Sequence, residues 1–374
     1  MQVVLQHQIQ FQLSKVKHAC GESSTALIML EQDETVVNHL LSLEEADLNE
    51  KFQACAGGHT NINGYPTDVF VQRLLTSTKW MIESGTKSGV EIMNRFKLSL
   101  GIRPKWEKSH FLFARYLDSV FETKVTSLIE NQRSKQGIDE DSLREWAIGS
   151  DCKCRGYLLD AMQSYLRALA FGDKHLLQAM PRLLTIWFDL TAVKEEMADV
   201  SDDACELLRE SQIKANKLIR ESKNNIPSFS FYSALPQLIS RVSHRNEGTS
   251  MLVRKILMRV LSKFPEQGMW PLAWLVNSTK VDRANIGAEI FNAAQKYQSQ
   301  QGSMKFHDLL VESKSLFKFL IDLARYKPKN SSCKTFRIKP WRGSVDLIDF
   351  VPPVSILRSV IKFQLFSIQY YLDS

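Results

Sequence analysis

The sequence predicts an all-α protein, an α-solenoid of stacked antiparallel helix pairs with a short irregular or extended C-terminal segment. Only 16 glycines and 11 prolines interrupt the 374 residues, which favours long helices over a turn-rich β-sandwich. Apolar residues recur at spacings of three and four, as in the stripe that contains Trp106, His110 and Phe113. Such helices follow one another without intervening strand patterns, and serial helix pairs stack in one dimension. A compact helical bundle is the alternative.

The helices are assigned in chain order from this periodicity and from residues typical of helix ends. Pro66 precedes one helix, which Ser84 and Gly85 close. Another begins in the acidic run 199–203 and ends near the basic Lys223, which suits both ends of the helix dipole. The predicted spans are Ser23–Leu30, Glu34–Leu43, Thr67–Ser84, Lys87–Leu98, Trp106–Gln132, Glu140–Phe171, Lys174–Met197, Asp202–Ser222, Ser228–His244, Ser250–Lys263, Gly268–Asn277, Asp282–Gln298 and Met304–Tyr326.

Composition predicts the compartment. No run of residues approaches the roughly 18 apolar positions of a membrane span, so no membrane partner is expected. The first residues, MQVVLQHQIQFQLSK, lack the basic start and apolar core of a secretory signal. Six cysteines in 374 residues are too few for a disulfide framework, which predicts a reducing compartment, either cytosol or nucleus.

Charge is unevenly distributed along the chain. Met1–Gln212 carries 23 Lys/Arg and 30 Asp/Glu, a net charge of −7, whereas Ile213–Ser374 carries 25 and 11, a net charge of +14. A basic half can contact nucleic acid, an acidic protein, an acidic face of the same parent molecule, or solvent alone. Its densest cluster comprises Arg241, His244, Arg245, Arg254, Lys255 and Arg259. The last three are expected on a polar helix face opposite the stripe Leu252, Ile256 and Val260.

Potentially reactive residues match active-site or metal-site patterns only in part. Cys152 and Cys154 form C-x-C without a second matched pair, so free thiols are favoured over zinc ligands. The segments 282–285 (DRAN) and 349–351 (DFV) imitate kinase motifs, but no glycine-rich phosphate loop precedes them. Asp282 is instead expected to cap a helix N-terminus. No catalytic, cofactor-binding or metal-binding residue is assigned.

The positions of the aromatic residues and histidines on the helices indicate a packing role and not a catalytic or binding one. Trp270 and Trp274 lie four residues apart and share a helix face, which favours packing on a neighbouring helix over a groove for a partner helix. Pro271 is expected in the first turn of that helix, where proline is tolerated. Single histidines within helices, such as His110 and His244, are expected to be satisfied core or groove residues.

Four segments carry a family resemblance. They are HFLFARYLDSVF after Trp106, YLRALAFGDKHLLQAMPRLLTIWFDLT from Tyr165, IPSFSFYSALPQLISRVSH from Ile226, and FPEQGMWPLAWLVNS from Phe264. In this order they resemble the FAT region of phosphatidylinositol-3-kinase-related kinases, and the last favours the ATR-like branch. The resemblance is strong over 80–298 and looser in the first sixty residues. The motif positions, all structural, are Trp106, His110, Tyr116, Gly172, Pro181, Arg182, Trp187, Asp189, Pro227, Gln237, Arg241, His244, Pro265, Gln267 and Trp270.

The resemblance implies a function. FAT repeats form helical solenoids that wrap a kinase domain in a C-shaped clamp. In ATR-like proteins that domain phosphorylates Ser/Thr-Gln sites in nuclear DNA-damage, DNA-repair and replication-checkpoint signalling, with an ATRIP-like partner. The expected divisions are N-terminal helical repeats at 1–66, the FAT solenoid at 67–326, and a linker leading into an absent kinase lobe at 327–374. ATP and Mg or Mn are implied for the full-length kinase, and no cofactor is expected in this chain.

The expected role is therefore a non-catalytic scaffold that clamps and regulates the kinase domain of the same parent chain. One alternative is that the sequence stands for the Ser/Thr kinase itself and is a fragment of it. Another is a standalone helical adaptor for nucleic acid or acidic partners, although specific DNA binding is not expected. The terminal residues 361–374, IKFQLFSIQYYLDS, have no counterpart in the family. The apolar residues of Ile356–Tyr371 are expected to be poorly ordered or to promote aggregation.

Overall fold

The computed structural model describes residues 2–31, 42, 61–62, 65–133, 140–194, 202–300, 316–318 and 320–321. The described part is all-α, as predicted, apart from a two-residue antiparallel pair, β1 (Asn61–Ile62) with β2 (Tyr65–Pro66). The helices are α1 (Gln2–Ala19), α2 (Ser23–Glu31), α3 (Thr67–Ser84), α4 (Gly89–Ile102), α5 (Glu107–Arg133), α6 (Glu140–Ser150), α7 (Cys152–Phe171), α8 (Leu176–Ala192), α9 (Asp202–Ser222), α10 (Ser228–Tyr232), α11 (Leu235–Ser240), α12 (Glu247–Lys263), α13 (Pro265–Val276) and α14 (Val281–Gln300).

The chain forms two compact units. The first comprises Met1–Gly137 and Gly156–Ala179, and the second comprises Ile138–Arg155 and Met180–Ser374. In the first unit, α1 packs on α2, α2 on α3, α3 on α4 and α4 on α5. Contacts between successive helices are what a solenoid requires.

A buried arginine links α3 and α4 in the first unit. Arg95 is 4% exposed. Its Nε donates to Thr78 Oγ1 at 3.1 Å, and its Nη2 donates to Ser77 Oγ at 2.7 Å. A buried guanidinium is tolerated only when its donors find acceptors, so these hydroxyls fix the register of the two helices.

Helix α12 is the centre of the second unit and contacts α9, α10, α11, α13 and α14. Leu252, Ile256 and Val260 are all buried, as predicted. Gly287 on α14 permits close approach to α13, because a Cβ there would lie 2.9 Å from the backbone nitrogen of Val276. Real Cβ atoms do not approach backbone so closely, so only glycine fits this crossing.

Two predicted helices are each divided in the structure. The span Glu140–Phe171 breaks at Asp151, whose Oδ1 accepts the backbone N–H of Lys153 at 2.7 Å and of Cys154 at 3.3 Å. Asp151 therefore caps a new helix. The span Ser228–His244 forms α10 and α11, because Pro236 has no N–H to continue the hydrogen-bond ladder of α10.

One helix was missed and two further local expectations were wrong. Helix α1 was not predicted, because its apolar residues do not share one buried face: Phe11 is buried, whereas Ile9 and Leu13 are exposed. Helix α13 begins at Pro265, so Pro271 lies inside the helix and not in its first turn. Asp282 lies in the first turn of α14 and does not cap it, because that helix already begins at Val281.

Some predicted segments fall outside the described residues. They are most of the helices predicted at Glu34–Leu43 and Met304–Tyr326, and everything after residue 321. Among the helices that are described, none combines the length and the apolar character needed to cross a membrane.

Candidate functional site

A buried polar network joins three helices of the second unit. Trp187 on α8 is fully buried, and its Nε1 donates to Asn216 Oδ1 on α9 at 2.9 Å. The same oxygen accepts the hydroxyl of Thr249 on α12 at 3.0 Å. Asn216 Nδ2 donates to Asn246 Oδ1 at 3.2 Å. The Asn216 amide thus uses both its oxygen and its nitrogen to hold α8, α9 and the start of α12 together.

The network continues to the N-terminus of α12. Asn246 caps that helix, because its Oδ1 accepts the backbone N–H of Thr249 at 3.1 Å. The backbone N–H of Asn246 donates to His244 Nδ1 at 3.1 Å, and His244 Nε2 donates to the carbonyl oxygen of Phe188 at 3.4 Å. These roles assign the neutral tautomer of His244 with its proton on Nε2.

Burial lowers the pKa of His244 below its ordinary value. The hydrogen bond to the Phe188 carbonyl raises it, whereas Arg241 and Arg245 lower it. Arg241 lies over the Phe188 ring with its guanidinium 6.0 Å from the ring centroid. His244 is therefore held neutral as an acceptor, as expected of a satisfied groove histidine.

The C-terminal end of α8 is held by side chains from elsewhere in the second unit. Gln212 Nε2 donates to the carbonyl oxygens of Leu190 at 3.3 Å and Val193 at 3.0 Å. Glu145 Oε1 accepts the backbone N–H of Lys194 at 2.8 Å, and Arg245 Nη2 at 2.5 Å. The Gln212 bonds satisfy carbonyl oxygens that the end of a helix leaves without partners, and the Glu145 bonds fix the chain that follows it.

Pro181 and Gln237, two motif positions, meet in the second unit. Pro181 lies inside α8 and is exposed. Gln237 Nε2 on α11 donates to the Pro181 carbonyl oxygen at 3.2 Å and to Thr185 Oγ1 at 3.1 Å. The glutamine therefore ties α11 to the outer side of α8.

Further motif positions cluster in the first unit. Trp106 precedes α5 and lies 5.1 Å from the Arg103 guanidinium. His110 is 2% exposed, and its Nε2 donates to the Pro104 carbonyl oxygen at 2.7 Å. Burial lowers the pKa of His110, although that hydrogen bond raises it. The His110 ring also contacts Phe171, with centroids 5.4 Å apart.

Gly172 has a steric role in this cluster. A Cβ at Gly172 would clash with the carboxylate of Glu107. Glu107 Oε1 accepts the backbone N–H of His175 at 2.7 Å, and the His175 ring stacks on Phe111 with centroids 4.2 Å apart. The glycine therefore makes room for a carboxylate that holds the turn between α7 and α8.

Tyr116 lines a separate groove in the first unit. The groove has a volume of about 180 Å³ and lies among α3, α4 and α5. Leu75, Phe96 and Leu112 provide apolar walls, and Arg115 lies at the groove as well. The Tyr116 hydroxyl donates to the Gly89 carbonyl oxygen at 3.4 Å, and burial raises its pKa.

The other motif positions do not share a common site. Arg182 and Asp189 are half-buried on α8, Pro227 is exposed before α10, and Pro265 and Gln267 lie in the first turn of α13. Trp270 contacts Phe317 edge-on, with centroids 5.2 Å apart. Trp274, expected on the same face, is 69% exposed.

Sequence inspection missed the polar residues that connect the motif positions, namely Glu107, Glu145, Gln212, Asn216, Asn246 and Thr249. Each contacts a residue on another helix or in a connecting loop, and sequence spacing carries no signal for such pairs. Cys152 is exposed and Cys154 is buried, and neither forms a disulfide. Within the described ranges, no group of three His, Cys, Asp or Glu residues could hold a metal ion.

Two family models match the chain. The "FAT domain" matches residues 2–185, and "Serine/threonine-protein kinase ATR-like, HEAT repeats" matches residues 214–316. The chain is a FAT region of the ATR-like family of phosphatidylinositol-3-kinase-related kinases. The second match contains the segment from Phe264 that favoured this branch. The FAT-domain match begins at residue 2, whereas the strong motif resemblance begins near residue 80.

Several known proteins are similar to this FAT region. It is 32% identical over 255 residues to "Serine/threonine-protein kinase ATR" of Arabidopsis thaliana, covering 67% of this chain and 9% of the relative. It is 26% identical over 289 residues to "Protein kinase rad3" of Schizosaccharomyces pombe, covering 75% and 11%. The chain thus spans about a tenth of the length of these relatives.

A solved structure supports the fold. The "Complete CtTel1 dimer with C2 symmetry" aligns with a TM-score of 0.59 at 15% identity, covering 87% of this chain and 11% of that one. At this identity the likeness concerns the fold of the FAT region alone, and it agrees with the predicted helical repeats.

Proposed function

We propose that this chain is a non-catalytic helical scaffold that clamps and regulates the kinase domain of an ATR-like Ser/Thr kinase. The observation that carries the proposal is that the motif side chains of this family member bind neighbouring helices. Hydrogen bonds to residues on other helices occupy the polar groups of Trp187, His244 and Gln237. Helices joined in this way can hold a neighbouring domain in position without taking part in its reaction.

The wider setting is also part of the proposal. The divisions 1–66, 67–326 and 327–374, nuclear location, and a role in DNA-damage and checkpoint signalling follow from the family resemblance. So do an ATRIP-like partner and a kinase domain in the parent chain that binds ATP with Mg or Mn. The similarity to kinases named ATR and rad3 supports this setting.

A chimera tests the scaffold role. The matching segment of the Arabidopsis kinase is replaced by this chain, and phosphorylation of a Ser-Gln peptide is measured in the purified complex. The chimera is then compared with versions that carry Trp187→Ala, which removes a buried contact, or Trp274→Ala, which removes an exposed side chain.

A clamp predicts that Trp187→Ala changes the phosphorylation rate severalfold, whereas Trp274→Ala leaves it unchanged. Thermal unfolding of the chimera reports whether Trp187→Ala has loosened the fold. An unchanged rate in a demonstrably loosened chimera would show that the kinase domain does not depend on this region, and the scaffold proposal would fail.

A further inference from the structure

Four cations converge where α9 ends. Arg220 and Lys223 lie at the C-terminal end of α9, and Lys255 and Arg259 lie on one face of α12, one helical turn apart. We call these four residues the basic cluster. They belong to the half of the sequence with a net charge of +14.

Arg259 fixes the geometry of the basic cluster. Its Nη1 donates to the carbonyl oxygen of Lys223, and its Nη2 donates to that of Ile226 at 3.1 Å. These bonds hold α12 against the chain that leaves α9. They also give Arg259 a structural role, because a cation is favourable at a helix C-terminus.

The other three members have no such structural role. Among the described residues, no carboxylate lies within ion-pair distance of Arg220, Lys223 or Lys255. Burial lowers the pKa of Lys223, and Lys255, Arg220 and Arg259 lower it further. The cluster therefore holds like charges close together, at a cost that a bound anion would relieve.

Neighbouring basic residues show the contrast. Lys217, one turn before Arg220 on α9, is 3.9 Å from Glu221. Arg254, next to Lys255 in sequence, is 3.3 Å from Glu289 on α14. Within the described ranges, the protein thus pairs nearby cations with carboxylates but gives the basic cluster no carboxylate.

The surface around the cluster is accessible. Arg220 and Lys255 are exposed. A partner can therefore reach both cations. Phe229, three residues beyond Ile226 in the sequence, is 42% exposed and offers an apolar side chain on the segment that Arg259 binds.

We propose that the basic cluster is a docking surface for an acidic peptide segment of a partner protein. The cluster is compact and does not form a track along several helices, so it suits a short run of carboxylates better than a nucleic-acid backbone. Single-stranded nucleic acid also requires successive exposed aromatic rings, whereas Phe229 is the one exposed aromatic residue in the described segment 223–246 between α9 and α12. The proposal goes beyond the scaffold role and does not depend on it.

Fluorescence anisotropy on the full chain tests the proposal. The probe is a fluorescein-labelled octapeptide of alternating Glu and Gly, and its neutral counterpart has Gln in place of Glu. The double variant Arg220→Gln/Lys255→Gln removes two exposed charges and spares Arg259, which holds backbone. The matched control, Lys214→Gln/Lys280→Gln, removes two exposed charges outside the cluster. Circular dichroism confirms that both variants retain the helical fold.

We expect the acidic peptide to bind, the neutral peptide not to bind, and the cluster variant to weaken binding about five- to tenfold. The control variant should change it less than twofold. Equal loss in both variants would show attraction to net charge alone and overturn the proposal. Absence of binding to the acidic peptide would also overturn it. Tighter, cluster-dependent binding of a 20-nucleotide DNA probe would assign the surface to nucleic acid instead.

Discussion

Replacement of Trp187 by alanine should strongly destabilise the second unit. The side chain is fully buried on α8 and donates one hydrogen bond to Asn216. A buried tryptophan removes roughly 150–250 Å² from water, which corresponds to ~4–6 kcal/mol at about 25 cal/mol per Å². Truncation of large buried aromatics costs about 3–5 kcal/mol in practice, and we expect a loss in that range.

A conservative variant separates packing from hydrogen bonding. Trp187→Phe keeps most of the aromatic volume but removes the N–H donor. Asn216 Oδ1 still accepts the Thr249 hydroxyl, so no acceptor is left without a partner. The expected loss is therefore smaller, roughly 1–2 kcal/mol.

The free energy of unfolding is measured by urea titration with far-UV circular dichroism. Hydrogen exchange of the backbone amides of α8 and α9 localises the change, because a chain with two compact units need not unfold in one step. Trp274→Ala is the control, since that side chain is 69% exposed. A loss below about 1 kcal/mol for Trp187→Ala, or an equal loss for Trp274→Ala, would refute the packing of α8 described above.

Three other predictions concern stability. Gly287→Ala should cost about 1–3 kcal/mol by urea titration, because its Cβ meets the backbone of α13, whereas Gly156→Ala in open space on α7 should be neutral or slightly stabilising. Asn246→Ala should cost at least about 1 kcal/mol through loss of the α12 cap, and an unchanged midpoint would argue against that cap. Acidification from pH 7 to pH 5.5 should lower the free energy of unfolding. Burial lowers the pKa of His244 in the folded chain. The unfolded chain therefore binds more protons than the folded one once the pH falls below the ordinary histidine pKa of about 6.5. His244→Gln should reduce this slope in urea titrations across that range, and an identical slope would contradict the assignment.

The helices of this chain were largely predictable because apolar periodicity reports which face is buried. Thr67–Ser84 and Asp202–Ser222 have the predicted bounds. The break at Asp151 was missed, because a capping aspartate inside a continuous apolar pattern resembles an ordinary exposed residue. Helix α1 was missed for the opposite reason, since its apolar residues do not follow one buried face and Ile9, Leu13 and Val16 are exposed.

The candidate site was predictable only at its motif positions. Trp187, one of the structural motif positions, is buried and bonds to Asn216 on α9. Its acceptor Asn216 is 29 residues away, and the third partner Thr249 is 33 residues beyond that. A polar residue on a helix is usually solvated, so no local signal distinguishes a buried asparagine that connects three helices from an exposed one.

The position of Asn216 between three helices has an evolutionary consequence. Its amide oxygen accepts two hydrogen bonds and its nitrogen donates one. A change at Trp187, Thr249 or Asn246 therefore removes a hydrogen-bond partner of Asn216. Accepted substitutions at these four positions should therefore covary among relatives. A graft that moves α9 alone into another member of this family should fail unless the recipient already presents a matching indole, hydroxyl and amide.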